Sequence, residues 1–215
     1  MGNRAVITTR ENFDNNGVGV YLHWNGGRDS IESFLKYMKL RNFRAPDQDC
    51  YGWARLCQVI GNFFGGGLSI GIDTVNHLDM GNWDNGVYII KGWDIVGREF
   101  FIGGEQNSYD IDEMLVDIDE SQPYEEQLGK DFLSAKEVET SKIKVGDKVY
   151  VSNYRDQYEL QEVCGYGDGF VNGTNVTDIP YVSMYGDDYR SNINNYLLAN
   201  AYRIGGESNE QVCYW

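Results

Sequence analysis

No apolar run in this sequence approaches the roughly 20 residues that a membrane-spanning helix needs. The N-terminus, with one arginine before the stretch AVITT, also lacks the basic, apolar and small-residue zones of a secretory signal. A cytoplasmic protein with no membrane partner is therefore expected. The four cysteines (Cys50, Cys57, Cys164, Cys213) include no C-x-x-C or C-x-x-H pair, which speaks against a zinc site and, in a reducing compartment, against a disulfide framework. The glycine cluster in GNFFGGGLSIG has neither a lysine nor G-x-G-x-x-G spacing and follows a helix rather than a strand, so it reads as a helix stop and not as a phosphate loop. Internal repeats and low-complexity tracts are missing too, and no cofactor or metal is expected.

The most informative absence is of basic residues in one place. Between Glu105 and Gln127 there are nine carboxylates and not one lysine or arginine. The formal charge of −15 is unevenly spread: residues 1–98 hold ten acids and ten bases, residues 99–128 ten acids and no base, and residues 129–215 thirteen acids against eight bases. Acidity of this kind repels nucleic acid and anionic membrane and attracts basic surfaces at range. Direct binding of nucleic acid is thus disfavoured.

What is present divides the chain into three parts. In residues 1–104, two β-rich runs, Arg4 to Thr8 and Val18 to His23, flank an Asn-Gly turn signal and predict a hairpin. Asp29, three residues before Glu32, opens a helix with Ile31, Phe34, Leu35 and Met38 on one face, ending near Asn42. After Pro46 a second helix carries Cys50, Trp53, Ala54, Cys57, Ile60 and Phe64 at offsets of three and four, stopped by Gly65, Gly66 and Gly67. LSIGIDT and DNGVYIIKGWDIVGREFF then predict three more strands. The expected fold class is α+β, a hairpin and two helices packed on an antiparallel or mixed sheet. Residues 105–128 form an acidic helix or connector. Residues 129–215 hold short β-rich segments broken by glycine, asparagine and aspartate, the pattern of a small barrel-like domain, in which VGDKVYV resembles the first strand of an SH3-like barrel.

Taken as a helix over 109–122 and closed by Pro123, the acidic stretch is amphipathic. Ile111, Met114, Leu115 and Ile118 fall within an arc of about 100°, and Asp110, Glu113, Asp117 and Glu120 within about 80° on the other side. Asp112 and Asp119 lie on one flank, and Glu125 and Glu126 just beyond. Like charges three or four apart each cost a few tenths of a kcal/mol, a cost that interspersed lysines would remove. Two readings are open: an acidic connector that aids solubility, or a row of carboxylates that imitates the phosphates of nucleic acid and fits a basic groove. A calcium loop is disfavoured because the D-x-[DN]-x-[DN]-G pattern is missing.

A separate chemistry is suggested by DCYGWARLC. A cysteine at a helix start lies near backbone amides that favour the thiolate, and Asp49, Cys50 and Gly52 resemble the D-C-x-G motif of papain-like cell-wall peptidases of the NlpC type. That resemblance implies a histidine partner for Cys50, for which His77, or His23 in a permuted arrangement, are the candidates. The alternative places Cys50 on the apolar helical stripe as a core cysteine, His23 as a half-buried packing residue and His77 in a loop.

The segments GVYLHWNGGRDSIESFLKY, DCYGWARLCQVIGNFFGG and DNGVYIIKGWDIVGR resemble uncharacterised proteins encoded by phages and mobile elements of Gram-positive bacteria. The resemblance implies a setting rather than a mechanism. Small acidic proteins of that setting include inhibitors of host defence, among them anti-CRISPR and anti-restriction proteins. The expected function is thus a non-enzymatic binding protein that blocks a basic host protein, such as a CRISPR effector nuclease or a restriction enzyme, through an acidic, DNA-mimicking surface. The alternatives are a cysteine hydrolase built on Cys50 and a phage structural or assembly protein.

Overall fold

The structure, a computed structural model, describes residues 2–66, 69–138, 143–152, 158–171, 174–182, 196–197, 201–204 and 211–214. The chain is an α+β protein whose contacts divide it into two compact units, Met1–Gln127 and Leu128–Trp215. The acidic helix lies inside the first.

The first unit is built on a mixed five-stranded sheet of β1 (Ala5–Thr9), β2 (Val18–Leu22), β3 (Ile70–Thr74), β4 (Val87–Lys91) and β5 (Asp94–Glu99), in the order β3-β2-β1-β4-β5. Strands β1 and β4 are parallel, with Val6 opposite Val87 and Ile7 opposite Tyr88, and the other pairs are antiparallel. The central strand β1 is buried at all five positions, as a strand covered on both faces must be. On one face Val6, Val87 and Ile89 gather under Phe13, Tyr21, Leu78 and Met80. On the other, Tyr88 donates a hydrogen bond from its hydroxyl to the Gly26 carbonyl at 3.0 Å. The predicted hairpin strands pair as expected, Ala5 with Leu22 and Thr8 with Gly19. Their connection, however, holds a short helix, α1 (Arg10–Asp14), because Thr9 Oγ1 accepts the Asn12 amide and caps it.

Two longer helices follow. Helix α2 (Arg28–Leu40) buries Ile31, Phe34, Leu35, Tyr37 and Met38, and α3 (Tyr51–Phe63) buries Trp53, Leu56, Val59 and Ile60. Helix α2 closes with Asn42 in the left-handed region, φ 50°, while the Phe43 amide bonds back to the Met38 carbonyl at 3.1 Å. The α3 stop falls at Phe64 and Gly65, the latter at φ 65°; Gly67 lies outside the described residues. Gly52 in α3 stands directly against the Ala45–Pro46 backbone, where a Cβ would collide. Close helix packing thus accounts for the glycine of the D-C-x-G stretch.

The second unit contains α5 (Lys130–Leu133) and a seven-stranded sheet of β6 (Ala135–Val138), β7 (Lys148–Ser152), β8 (Tyr158–Val171), β9 (Thr174–Val182), β10 (Tyr196–Leu197), β11 (Ala201–Ile204) and β12 (Gln211–Tyr214). Its order is β10-β9-β8-β7-β12-β11-β6, with β7 and β12 parallel. The V-G-D stretch turns through Gly146 at φ 92°, and the Asp147 carboxylate accepts the Lys144 amide at 2.8 Å just before β7. No helix among the described residues is long and apolar enough to cross a membrane.

Candidate functional site

The acidic stretch forms α4 (Ile111–Glu120). Its N-cap is Asp110, whose carboxylate accepts the amides of Asp112 and Glu113 at 2.9 and 3.1 Å. Its inner face buries Met114, Leu115 and Ile118 at 1 % exposure or less, while Ile111, which a 3.6-residue period places on the same face, is half-buried. The helix is held at both ends. At its start Asp29, buried near the beginning of α2, accepts the Ser108 and Tyr109 amides at 2.5 and 2.7 Å as well as its neighbour Ser30. Asp29 does not cap its own helix: Gly27 is the N-cap of α2, with no side-chain bond, and one carboxylate oxygen of Asp29 meets Ser30 while the other holds the approach to α4. At the far end Gln122 donates to the Val59 and Ile118 carbonyls at 3.2 and 2.9 Å and accepts from Asn62 at 2.9 Å. These bonds tie the end of α4 to α3.

The outward face carries Asp110, Asp112, Glu113, Asp117 and Glu120, all exposed, followed by exposed Glu125 and partly exposed Glu126 in a 3-10 turn. Asp112 meets Lys36 of α2 at 3.0 Å, an exposed pair of little energetic weight. Glu113 and Asp117 form no ion pair among the described residues. Glu105, at the head of the acidic stretch, is engaged by Arg98 at 3.2 Å and Arg28 at 3.8 Å. Two tyrosines flank the row, Tyr109 at 48 % exposure and Tyr124 at 85 %. Exposed aromatics bordering charge suit a protein interface; helical periodicity singles out neither, since Tyr109 falls on the charged side of the expected helix and Tyr124 lies beyond Pro123.

Asp119 corrects the sequence reading. Helical spacing puts it on the charged flank as a contact residue, but it is 3 % exposed and accepts a hydrogen bond from the Tyr37 hydroxyl at 2.8 Å. The flank position turns inward because α2 lies against that side of α4 and offers a buried donor. Burial, reinforced by the Asp119 carboxylate, pushes the Tyr37 phenol well above its ordinary pKa.

Cys50 is not on the apolar stripe: α3 starts one residue later, and Cys50 is its exposed N-cap residue, beside the Asp49 carboxylate that accepts the Tyr51 amide at 2.9 Å. Cys57 lies half-buried within α3, and burial raises its thiol pKa. His23 contacts the Tyr21 hydroxyl at 3.2 Å and the edge of Trp24, and is exposed rather than half-buried. His77, in a 3-10 turn after β3, lies 3.3 Å from Asp73. His23 follows directly on Leu22, which pairs with Ile70, and Ile70 faces Gly61 near the far end of α3. Eleven residues of helix rise, about 16 Å, separate Gly61 from Cys50. The structure therefore does not bring His23 to Cys50, and no histidine bonds to that thiol among the described residues.

No family model, no curated protein and no solved structure matches the chain.

Proposed function

We propose that this is a non-enzymatic binding protein whose α4 face engages a basic groove on a nucleic-acid-processing protein, a CRISPR effector nuclease or a restriction enzyme of the host in the mobile-element setting that the sequence resembles. The observation that carries this reading is an outward row of carboxylates on a helix docked along its inner face, with Lys36 the one lysine paired to it among the described residues. From Asp110 to Glu120 the row extends about 15 Å. A strand of B-DNA carries one phosphate per 3.4 Å of axis, about four over the same length, and Asp110, Glu113, Asp117 and Glu120 supply four charges. Docking of α4 through Met114, Leu115 and Ile118, with Asp29 and Gln122 at its ends, means that little further ordering of this helix is needed when a partner binds.

The test is inhibition of such a nuclease in competition with duplex DNA. The variant Asp110→Asn, Glu113→Gln, Asp117→Asn, Glu120→Gln keeps the cap, because asparagine caps as well as aspartate, and removes four charges. Inhibition should weaken steeply with added salt for the unaltered protein and be lost in the variant. Unchanged inhibition by the variant would remove this helix from the function.

A further inference from the structure

The acidic protein contains one corner of the opposite sign. Residues 33–72 hold five bases (Lys36, Lys39, Arg41, Arg44, Arg55) and two acids (Asp47, Asp49), a net charge of +3 in a chain of −15. The corner's three arginines lie in or beside the turn between α2 and α3, two of them about one aromatic ring. The Arg41 guanidinium lies 5.1 Å and that of Arg55 5.5 Å from the centre of the Phe43 ring, while Arg44 stands 5.3 Å from the Tyr51 ring. The Phe43 position is fixed by its N–H, which donates to the Met38 carbonyl, and by its own carbonyl, which accepts the Trp93 indole N–H at 2.6 Å.

The three arginines are not equivalent. Arg44 is paired with Asp49 at 2.6 Å, and Arg55 is exposed and donates to Gln58 at 2.8 Å. Arg41 is 8 % exposed, its Nε is buried without a hydrogen-bond partner, and it forms no ion pair among the described residues. Arginine does not lose its proton in proteins, and a buried charge without a hydrogen-bonding counter-charge is costly. The C-terminal end of α2, where Arg41 is the cap residue, supplies part of the compensation. Asp119 and Glu126 are the acidic groups near enough to act with Arg41 on the Tyr37 phenol, and Asp119 already accepts the Tyr37 hydroxyl. The Arg41 and Arg55 guanidinium groups share one aromatic neighbour, Phe43.

We propose that Arg41 and Arg55, set about the Phe43 ring, form a binding site for a phosphate-type oxyanion, either free phosphate or the phosphate of a monoester. Two guanidinium forks provide the planar, charge-assisted donors that such an oxyanion accepts, and the bound anion supplies the counter-charge that Arg41 otherwise lacks.

The experiment follows the thermal midpoint of the full chain in sodium phosphate, in phenyl phosphate and in sodium chloride at matched pH and ionic strength. The midpoint should rise saturably with phosphate or the monoester and not with chloride; a response to both oxyanions marks a free-ion site, and a response to phenyl phosphate alone marks a ligand with a larger body. Arg55→Gln, at an exposed position that leaves folding intact, should weaken the apparent affinity about tenfold, as loss of one charge-assisted donor does. Arg44→Gln, which removes an arginine already paired, should leave the affinity unchanged. In chloride Arg41→Met should melt at or above the unaltered protein, and in phosphate below it, a reversal that a purely structural arginine would not give. Equal responses to chloride and phosphate, or a phosphate response that survives Arg55→Gln, would overturn the proposal and leave Arg41 as a through-space partner of Asp119.

Discussion

Tyr37 and Asp119 show what a single buried pair does in this fold. The hydroxyl donates to a carboxylate that is 3 % exposed, so Tyr37→Phe strips a hydrogen bond from a buried charge and should cost about 1–3 kcal/mol, measured by urea unfolding. Burial raises the phenol pKa of both Tyr37 and Tyr88 in the folded state. A raised folded pKa means that the stability contributed is fully present below the unfolded value of about 10 and is lost as pH climbs through the folded value. Stability should therefore fall above about pH 10, and Tyr37→Phe should make that decline shallower. The cysteines offer a second measurement at this scale. Cys50 is exposed at a helix start, whereas Cys57 is half-buried with a raised pKa. Brief alkylation of the folded protein near neutral pH, followed by peptide mass analysis, should label Cys50 well before Cys57.

At the scale of the element, α4 is positioned by polar contacts at its ends and apolar ones along its length. Asp29→Ala removes the acceptor shared by the Ser108 and Tyr109 amides and should destabilise the protein by about 2 kcal/mol, with faster hydrogen exchange at those two amides. The outward face is expected to respond in the opposite sense. Asp117 lies four residues after Glu113 and three before Glu120, so Asp117→Lys turns two repulsions into attractions and should stabilise the protein by about 0.5 kcal/mol. If α4 is the contact surface proposed above, the same substitution should also weaken binding to a basic partner. A gain in stability with a loss of binding distinguishes a functional row of carboxylates from a merely solvated face, since binding surfaces commonly cost stability.

For the whole molecule, the division at Gln127 has a direct consequence. The first unit contains the five-stranded sheet, α2, α3 and α4, and its buried core includes Ile7, Val20, Phe34, Leu56, Tyr88 and Ile118. At 127 residues it is long enough to bury a core of its own. A chain ending at Gln127 should fold, with a cooperative thermal transition by circular dichroism, and should retain whatever binding α4 provides. The ten acids of residues 99–128, a stretch without a base, all fall within this unit, so any electrostatic attraction to a basic partner should persist without the second unit.

The sequence by itself determined the α+β class, the two helices, the three later strands and the amphipathic character of α4. Each of these follows from local periodicity, because 3.6-residue and two-residue repeats are written in consecutive residues. It also located the acidity, since charge can be counted without a fold. Tertiary structure decided the parallel pairing of β1 with β4, because nothing local in either strand encodes a partner about 80 residues away. It decided that Asp119 faces a buried tyrosine and not solvent, and that Asp29 holds the approach to α4 and is not the N-cap of α2. It placed Cys50 outside the apolar stripe and His23 near the opposite end of α3. A residue at the edge of a helical arc, or at a helix end, is assigned to core or surface only by what packs against it, and that neighbour is supplied by the fold.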